Sequence, residues 1–285
     1  MALLRKNSNL YLTFVRLQRN RLAILGLVIM GILLLTAVFA PLLAPYHYAT
    51  QNLAEAFEAP SWAHPLGTDD FGRDILSRII YGAQISLQVG IFAVTLAMLS
   101  GGLLGAIAAY YGGRLDNVIM RLMDILLSIP QILLAIAIPA ALGPGLLNLT
   151  IAVGVAALPA FARVVRGAVL SIVGQEYIEA AHCMGASDSW IIAKHILPNC
   201  SAPIIVQSTL RVAQAILVTA ALSFIGLGIQ PPFPEWGGML ASARGYVRDY
   251  AYMTIFPGLA IMITIMALNF LGDGLRDAMD PKLKR

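Results

Sequence analysis

Charge is the scarcest ingredient of this chain. Of 285 residues, only 12% are Asp, Glu, Lys or Arg, about half the share usual in soluble domains. Apolar residues make up 59% and the mean hydropathy is +0.78. Length alone is compatible with about two soluble domains, but this composition excludes them and leaves one integral-membrane domain. Cysteine is nearly absent: Cys183 and Cys200 form no CxxC pair, and His182 beside Cys183 is too little for a metal site, so both read as inert thiols. None of the lysines (Lys6, Lys194, Lys282, Lys284) follows a glycine, so a phosphate-cradling GxxxxGK[ST] loop is missing. His47, His64, His182 and His195 stand in no HExxH or paired-carboxylate setting, and no GxSxG occurs. The chain therefore carries no ATPase site and no catalytic set, needs no cofactor of its own, and must draw any energy from a partner. A net charge of +4 and a pI near 9.2 raise the question of nucleic acid. The cations are scattered instead of gathered on a soluble face, so membrane topology explains them better and no nucleic-acid partner is expected.

What is abundant is long apolar sequence. A membrane helix needs about 20 mainly apolar residues to cross roughly 30 Å of hydrocarbon. Stretches 22–44, 85–110, 118–142, 149–170, 203–227 and 253–271 qualify, giving an all-α membrane protein of six spans. The first run is long and has no A-x-A cleavage site, so it reads as a retained anchor. Pro130, Pro139, Pro159 and Pro257 fall within these spans, which a helix bundle tolerates because neighbours satisfy the freed backbone groups. Lys and Arg set the orientation. With the N-terminus inside, 14 of the 19 fall on the cytoplasmic side and 4 (Arg73, Arg78, Arg244, Arg248) outside, while Arg211 lies within a span. The expected organisation is a cytoplasmic segment 1–21, a six-helix domain 22–275 with an outer loop 45–84 and a cytoplasmic segment 171–199, and a cytoplasmic tail 276–285.

That cytoplasmic segment breaks the oily pattern. Between Glu176 and Pro198 the sequence reads as two short helices joined by a turn. Tyr177, Ala181 and Met184 give the first an apolar face, and Gly185 ends it in a left-handed conformation. Ser187 or Asp188 caps the second, and Pro198 stops it at the membrane. A helix lying on lipid would set Lys and Arg opposite a bulky apolar face. Here the face is small (Ala180, Ala181) and its charges are acidic, which suits a groove on a protein partner.

Glu179-Ala180-Ala181, three residues, Gly185 and then Leu197-Pro198 resemble the EAA motif of ATP-binding-cassette importer permeases, whose pattern is EAA, three residues, G, nine residues, I, one residue, LP. His195 takes the isoleucine position, and His195-Ile196-Leu197-Pro198-Asn199 is similar to the variant of the peptide and nickel branch. The run Gly67-Thr68-Asp69-Asp70-Phe71-Gly72-Arg73-Asp74 after the first span resembles the C-type subunit of dipeptide, oligopeptide, glutathione and nickel permeases. So do Ser223–Gly228 before Pro234-Glu235-Trp236-Gly237, and Asn269–Asp277 before Asp280-Pro281. Read without the resemblance, Asp69, Asp70 and Asp74 are capping and salt-bridging residues beside Arg73 and Arg78 rather than a cation site.

The resemblance implies a type I importer permease fold in a bacterial inner membrane. It implies partners: a second homologous permease, two cytoplasmic ATPases that hold ATP and Mg, and a periplasmic or lipid-anchored substrate-binding protein. It makes the segment a coupling helix that docks in an ATPase cleft through Glu179, Ala180, Ala181 and Gly185, with Leu197 and Pro198 completing the motif. Di- and oligopeptides are the implied substrate, with nickel or glutathione as alternatives.

Gln207, Arg211 and Gln214 recur at i, i+4, i+7 along the fifth span. A charge at mid-bilayer faces a bundle interior or an aqueous cavity, so they form either a wall of the translocation pathway or a polar seam to the partner permease. A cation on the pathway would favour a carboxylate-bearing peptide over bare nickel. An ion-coupled secondary transporter would need acidic or His residues in the spans, and the clearest mid-span ionisable residue is Arg211, with Asp124 near a cytoplasmic end. Gly101 and Gly105 form a GxxxG pair, by itself a weak sign of close helix packing.

Overall fold

The computed structural model describes residues 15–279. Residues 1–14 and 280–285 lie outside the described residues, and with them Arg5, Lys6, Lys282, Lys284 and Arg285, which the topology assigns to the cytoplasm, and the Asp280-Pro281 end of one motif. Helix is the only extended secondary structure among the described residues. Five helices are long and apolar enough to cross a membrane: α1 Arg21–Val38, α3 Ile75–Tyr111, α6 Leu146–Leu170, α10 Ser201–Phe224 and α12 Tyr252–Met279. A short α2, Ala40–Leu43, follows the first.

The stretch 118–142 is not the single straight span expected from hydropathy. It is a broken pair, α4 Gly113–Ser128 and α5 Gln131–Leu142, meeting at 86°. Pro130 causes the break. It lacks an N–H, and its ring forces the preceding residue out of the helical region, so Ile129 adopts φ −89°, ψ 127°. Pro139 and Pro159, by contrast, sit inside continuous helices.

Helix α3 also departs from expectation. It begins at Ile75, ten residues before the apolar run and inside what hydropathy marks as outer loop. Asp74 makes that start: its Oδ2 accepts from the Ser77 N–H at 2.7 Å and the Ser77 hydroxyl at 2.6 Å. At 37 residues the helix is about 55 Å long, well beyond the hydrocarbon thickness. The last helix likewise runs past its apolar stretch to Met279, so Arg276 is helical.

The centre of the fold is the seam between α3 and α6. A Cβ on Gly101 would strike the Leu158 carbonyl oxygen, and one on Gly105 the Ala162 carbonyl oxygen. The GxxxG pair is therefore a true close-approach site. Around it pack Val89, Ala93, Val153 and Phe161. The first and last spans close the bundle: Ala23 is fully buried, and a Cβ on Gly26 would lie 2.5 Å from the Ala267 carbonyl oxygen.

Toward the outer face, α11 Trp236–Ala243 is capped by Glu235, whose carboxylate oxygens accept from the Gly237 N–H at 2.9 Å and the Gly238 N–H at 2.8 Å. Trp236, Ile75, Leu87 and Met253 form the core there.

Candidate functional site

The segment after α6 folds as two helical pieces around a turn. The first is α7, Glu176–Cys183. Gly185 follows at φ +79°, a left-handed conformation that glycine adopts without a Cβ penalty. The Ala186 N–H bonds back to the Ala181 carbonyl, closing the helix end. The second piece starts at Ser187, although no side-chain capping bond forms there, and runs through α8 Asp188–Ile191. A wide turn over Ile192–Ile196 then leads into α9, Leu197–Asn199.

Pro198 therefore does not end the helix. The Leu197 N–H reaches back five residues to the Ile192 carbonyl, and this widening frees the backbone from the contact that a proline ring otherwise makes with the carbonyl four residues earlier. The chain continues past Pro198 to Cys200 and into α10.

The inner face of α7 is also different from the expected one. Ile178 is buried, while Tyr177 is 42% and Met184 87% exposed. Ile178, Ile191, Ile196 and Cys200 pack on Ala106 and Ala109 of α3 and Val165 and Val169 of α6. That leaves Glu179, Ala180 and Gly185 on the exposed side, with Ala181 and Leu197 half-buried and Pro198 exposed. Glu179, Ala180 and Gly185 are all exposed, Leu197 packs partly into the apolar base, and Pro198 is exposed beside it.

Contacts that no sequence pattern announces hold this base. Tyr110, in the last turn of α3, donates its hydroxyl proton to Asp188 Oδ1 at 2.8 Å and sits 3.2 Å from His182 Nε2. Trp190 packs edge-on to His195 at 4.8 Å. Next to the segment, Arg166 of α6 grips Asp116 of α4 through two 2.6 Å bonds, and Arg163 meets Asp124 at 2.7 Å. The only sequence signal for these is that Arg163 and Arg166 lie one turn apart at a span end, as Asp116 and Asp124 lie two turns apart.

The expected pathway residues are not gathered into one cavity of this chain. Gln207 lines an inward opening of about 650 Å³ with Asn199, Leu210 and Arg276. Arg211, one turn further along α10, is half-buried, and no side-chain hydrogen bond or ion pair among the described residues involves it. Gln214 is exposed. At the other end a cavity of about 480 Å³ is lined by Tyr48, Tyr81, Gln84, Gln88, Gln230 and Phe233.

The outer loop is pinned by charge. Asp69 holds Arg73 at 2.6 Å and accepts from the N–H groups of Phe71 and Arg73, both at 2.9 Å. Arg78 bridges the Tyr48 carbonyl at 3.0 Å to the Pro232 carbonyl at 3.4 Å. His64 Nδ1 lies 3.0 Å from Asp74. Burial and the neighbouring Asp69 carboxylate push the Asp70 carboxyl up, against the pull of Arg73. The acidic run thus caps and pairs, as its spacing suggests.

Residues 101–285 match the family described as the binding-protein-dependent transport system inner membrane component. The chain belongs to that family. Residues 8–60 of this permease match the N-terminal membrane domain of oligopeptide transport permease C. It is 51% identical over 271 residues to a dipeptide transport system permease protein, DppC, of Alkalihalophilus pseudofirmus, covering 95% of this chain and 89% of the relative. A di/tripeptide permease, DppC, of Pseudomonas aeruginosa is 46% identical, covering 93% of this chain and 89% of the relative. A glutathione permease, GsiD, of Pectobacterium atrosepticum is also 46% identical, covering 94% and 90%. Among solved structures, the inward-facing MetNI methionine ABC transporter shares the fold, with a TM-score of 0.60 at 21% identity over 72% of this permease and 98% of that chain. The permease is a multi-pass transport subunit, not an enzyme.

Proposed function

We propose that this permease is one half of the translocation channel of an ATP-driven peptide importer in a bacterial inner membrane. A second, homologous permease supplies the other half. Two cytoplasmic ATPases bind ATP and Mg, and an external binding protein delivers a di- or oligopeptide. The observation that carries the reading is the exposed Glu179–Ala180–Gly185 surface on a packed, hydrogen-bonded base at the cytoplasmic end: a surface that small and firmly held suits transmission of force from a docked partner. Closure of the ATPases around ATP pulls on this segment and switches the permease pair between inward- and outward-open states.

The test is capture of the ATPases by detergent-solubilised permease pair. Glu179→Arg places a cation where the docking surface carries an anion, so ATPase capture and peptide uptake are both expected to be lost. Unchanged capture together with unchanged ATP-driven uptake sinks the docking assignment.

A second reading, glutathione as the substrate, is favoured by one relative's name. Glutathione is itself a peptide, and competition of its uptake by simple dipeptides separates the two. Nickel is the weaker alternative: Arg211, inside a span and with no ion pair among the described residues, opposes a bare cation and suits a carboxylate.

A further inference from the structure

We propose that Tyr110 is a positioning residue that passes movement of the docking segment into α3, and through it to the outer face. The inference rests on the docking reading. Its observation is a three-element junction. The Tyr110 hydroxyl has one proton and gives it to Asp188 Oδ1, 2.8 Å away. Its oxygen is then left as an acceptor, so the His182 Nε2 at 3.2 Å must be the donor. His182 belongs to α7 and Asp188 to α8, so one phenol at the end of α3 ties together both halves of the segment. The rings of Tyr110 and His182 also stack at 5.9 Å.

Among the described residues, no other side-chain hydrogen bond joins residues 175–199 to a spanning helix. The remaining contact is apolar: Ile178, Ile191 and Ile196 against Ala106, Ala109, Val165 and Val169. Apolar contact holds the surfaces together but is non-directional, so small side chains can slide across it. Hydrogen bonds to a charged oxygen fix direction and register. A displacement of α7 and α8 is therefore delivered to α3 at Tyr110.

Helix α3 is suited to carry it. It is one unbroken helix of 37 residues, closely packed on α6 through Gly101 and Gly105. Its outer end bears Asp74 and Arg78, which fasten the outer loop, and Tyr81, Gln84 and Gln88, which line the outer cavity. A rotation imposed at Tyr110 reaches that cavity without passing through a loop.

The experiment is hydrogen exchange at residues 75–88 in the assembled complex of both permeases and both ATPases, compared without nucleotide and with ATP plus vanadate. The wild-type complex is expected to show a nucleotide-dependent change there. In Tyr110→Phe, which keeps the ring, that change is lost while the ATPases stay bound and basal hydrolysis persists. Asp188→Ala is expected to match it, whereas Asp188→Asn keeps an acceptor oxygen and retains the change. An undiminished change in Tyr110→Phe overturns the proposal, as does a wild-type complex with no change at 75–88. Loss of bound ATPases in both Tyr110→Phe and Asp188→Ala overturns it too, because the phenol would then shape the docking surface instead of relaying its motion. Failure of the wild-type permease to capture ATPases at all is a different result and sinks the docking reading itself.

Discussion

Glu235 is a buried carboxyl that the fold both needs and strains. Two backbone N–H groups at the start of α11 donate to it, at 2.9 and 2.8 Å, and these favour its charged form. Burial outweighs them and pushes the carboxyl above the ordinary glutamate value of 4.5. The folded protein therefore holds the proton more tightly than the unfolded chain. The resulting stabilisation is complete below the ordinary value and is lost as pH rises through the folded one. Glu235→Gln removes this titration at a cost to the cap, since an amide has one acceptor oxygen for two N–H groups. The wild type should therefore lose stability relative to the mutant as pH rises through the folded carboxyl's raised value, because the wild type alone carries the proton-linked term. Melting both proteins in detergent over a pH series checks this: a wild type that gains stability relative to the mutant as pH rises would show that burial does not raise the carboxyl.

Elements pack here by backbone approach more than by large side chains, and the α3–α6 seam is the clearest case. Gly105 faces the Ala162 carbonyl oxygen, a backbone atom that cannot rotate aside. Gly105→Leu should cost about 1–3 kcal/mol by overpacking, and Gly105→Ala should also destabilise, though less. Thermal unfolding of the purified permease measures both; an unchanged midpoint for Gly105→Leu would refute the close contact. The seam shows what the sequence could and could not disclose. Apolar runs mark every crossing, because the hydrocarbon demands them. The start of α3 escapes such a scan because Arg78 and Ser77 are buried by pairing with distant carbonyls and with Asp74, information that hydropathy lacks. The 86° bend escapes it because Pro130 looks like Pro139 and Pro159, both of which stay inside continuous helices. In segment 176–199 the glycine turn at Gly185 is readable locally. Which face turns inward is decided by Ile178 against α3 and α6, and Tyr110 finds His182 and Asp188 only through the tertiary fold, 72 and 78 residues away.

At the scale of the whole molecule, one subunit of a transport system is visible. Arg211 has no counter-charge among the described residues, and Gln214 is exposed on the same helix. With Arg211 as part of the pathway wall, Arg211→Gln should lower peptide uptake by about tenfold, the weight of one charge-assisted contact, with the complex still intact on gel filtration. Loss of the partner permease instead would make the stripe a subunit seam, and unchanged uptake with unchanged assembly would sink both roles. The pairing of the first and last spans bears on how the protein is made. Gly26 rests against Ala267, about 240 residues later in the chain. At about 5–20 residues per second, roughly 10–50 seconds of synthesis separate the two. During that interval the first span stands in the bilayer without the partner that its Ala23 and Gly26 face meets in the finished fold.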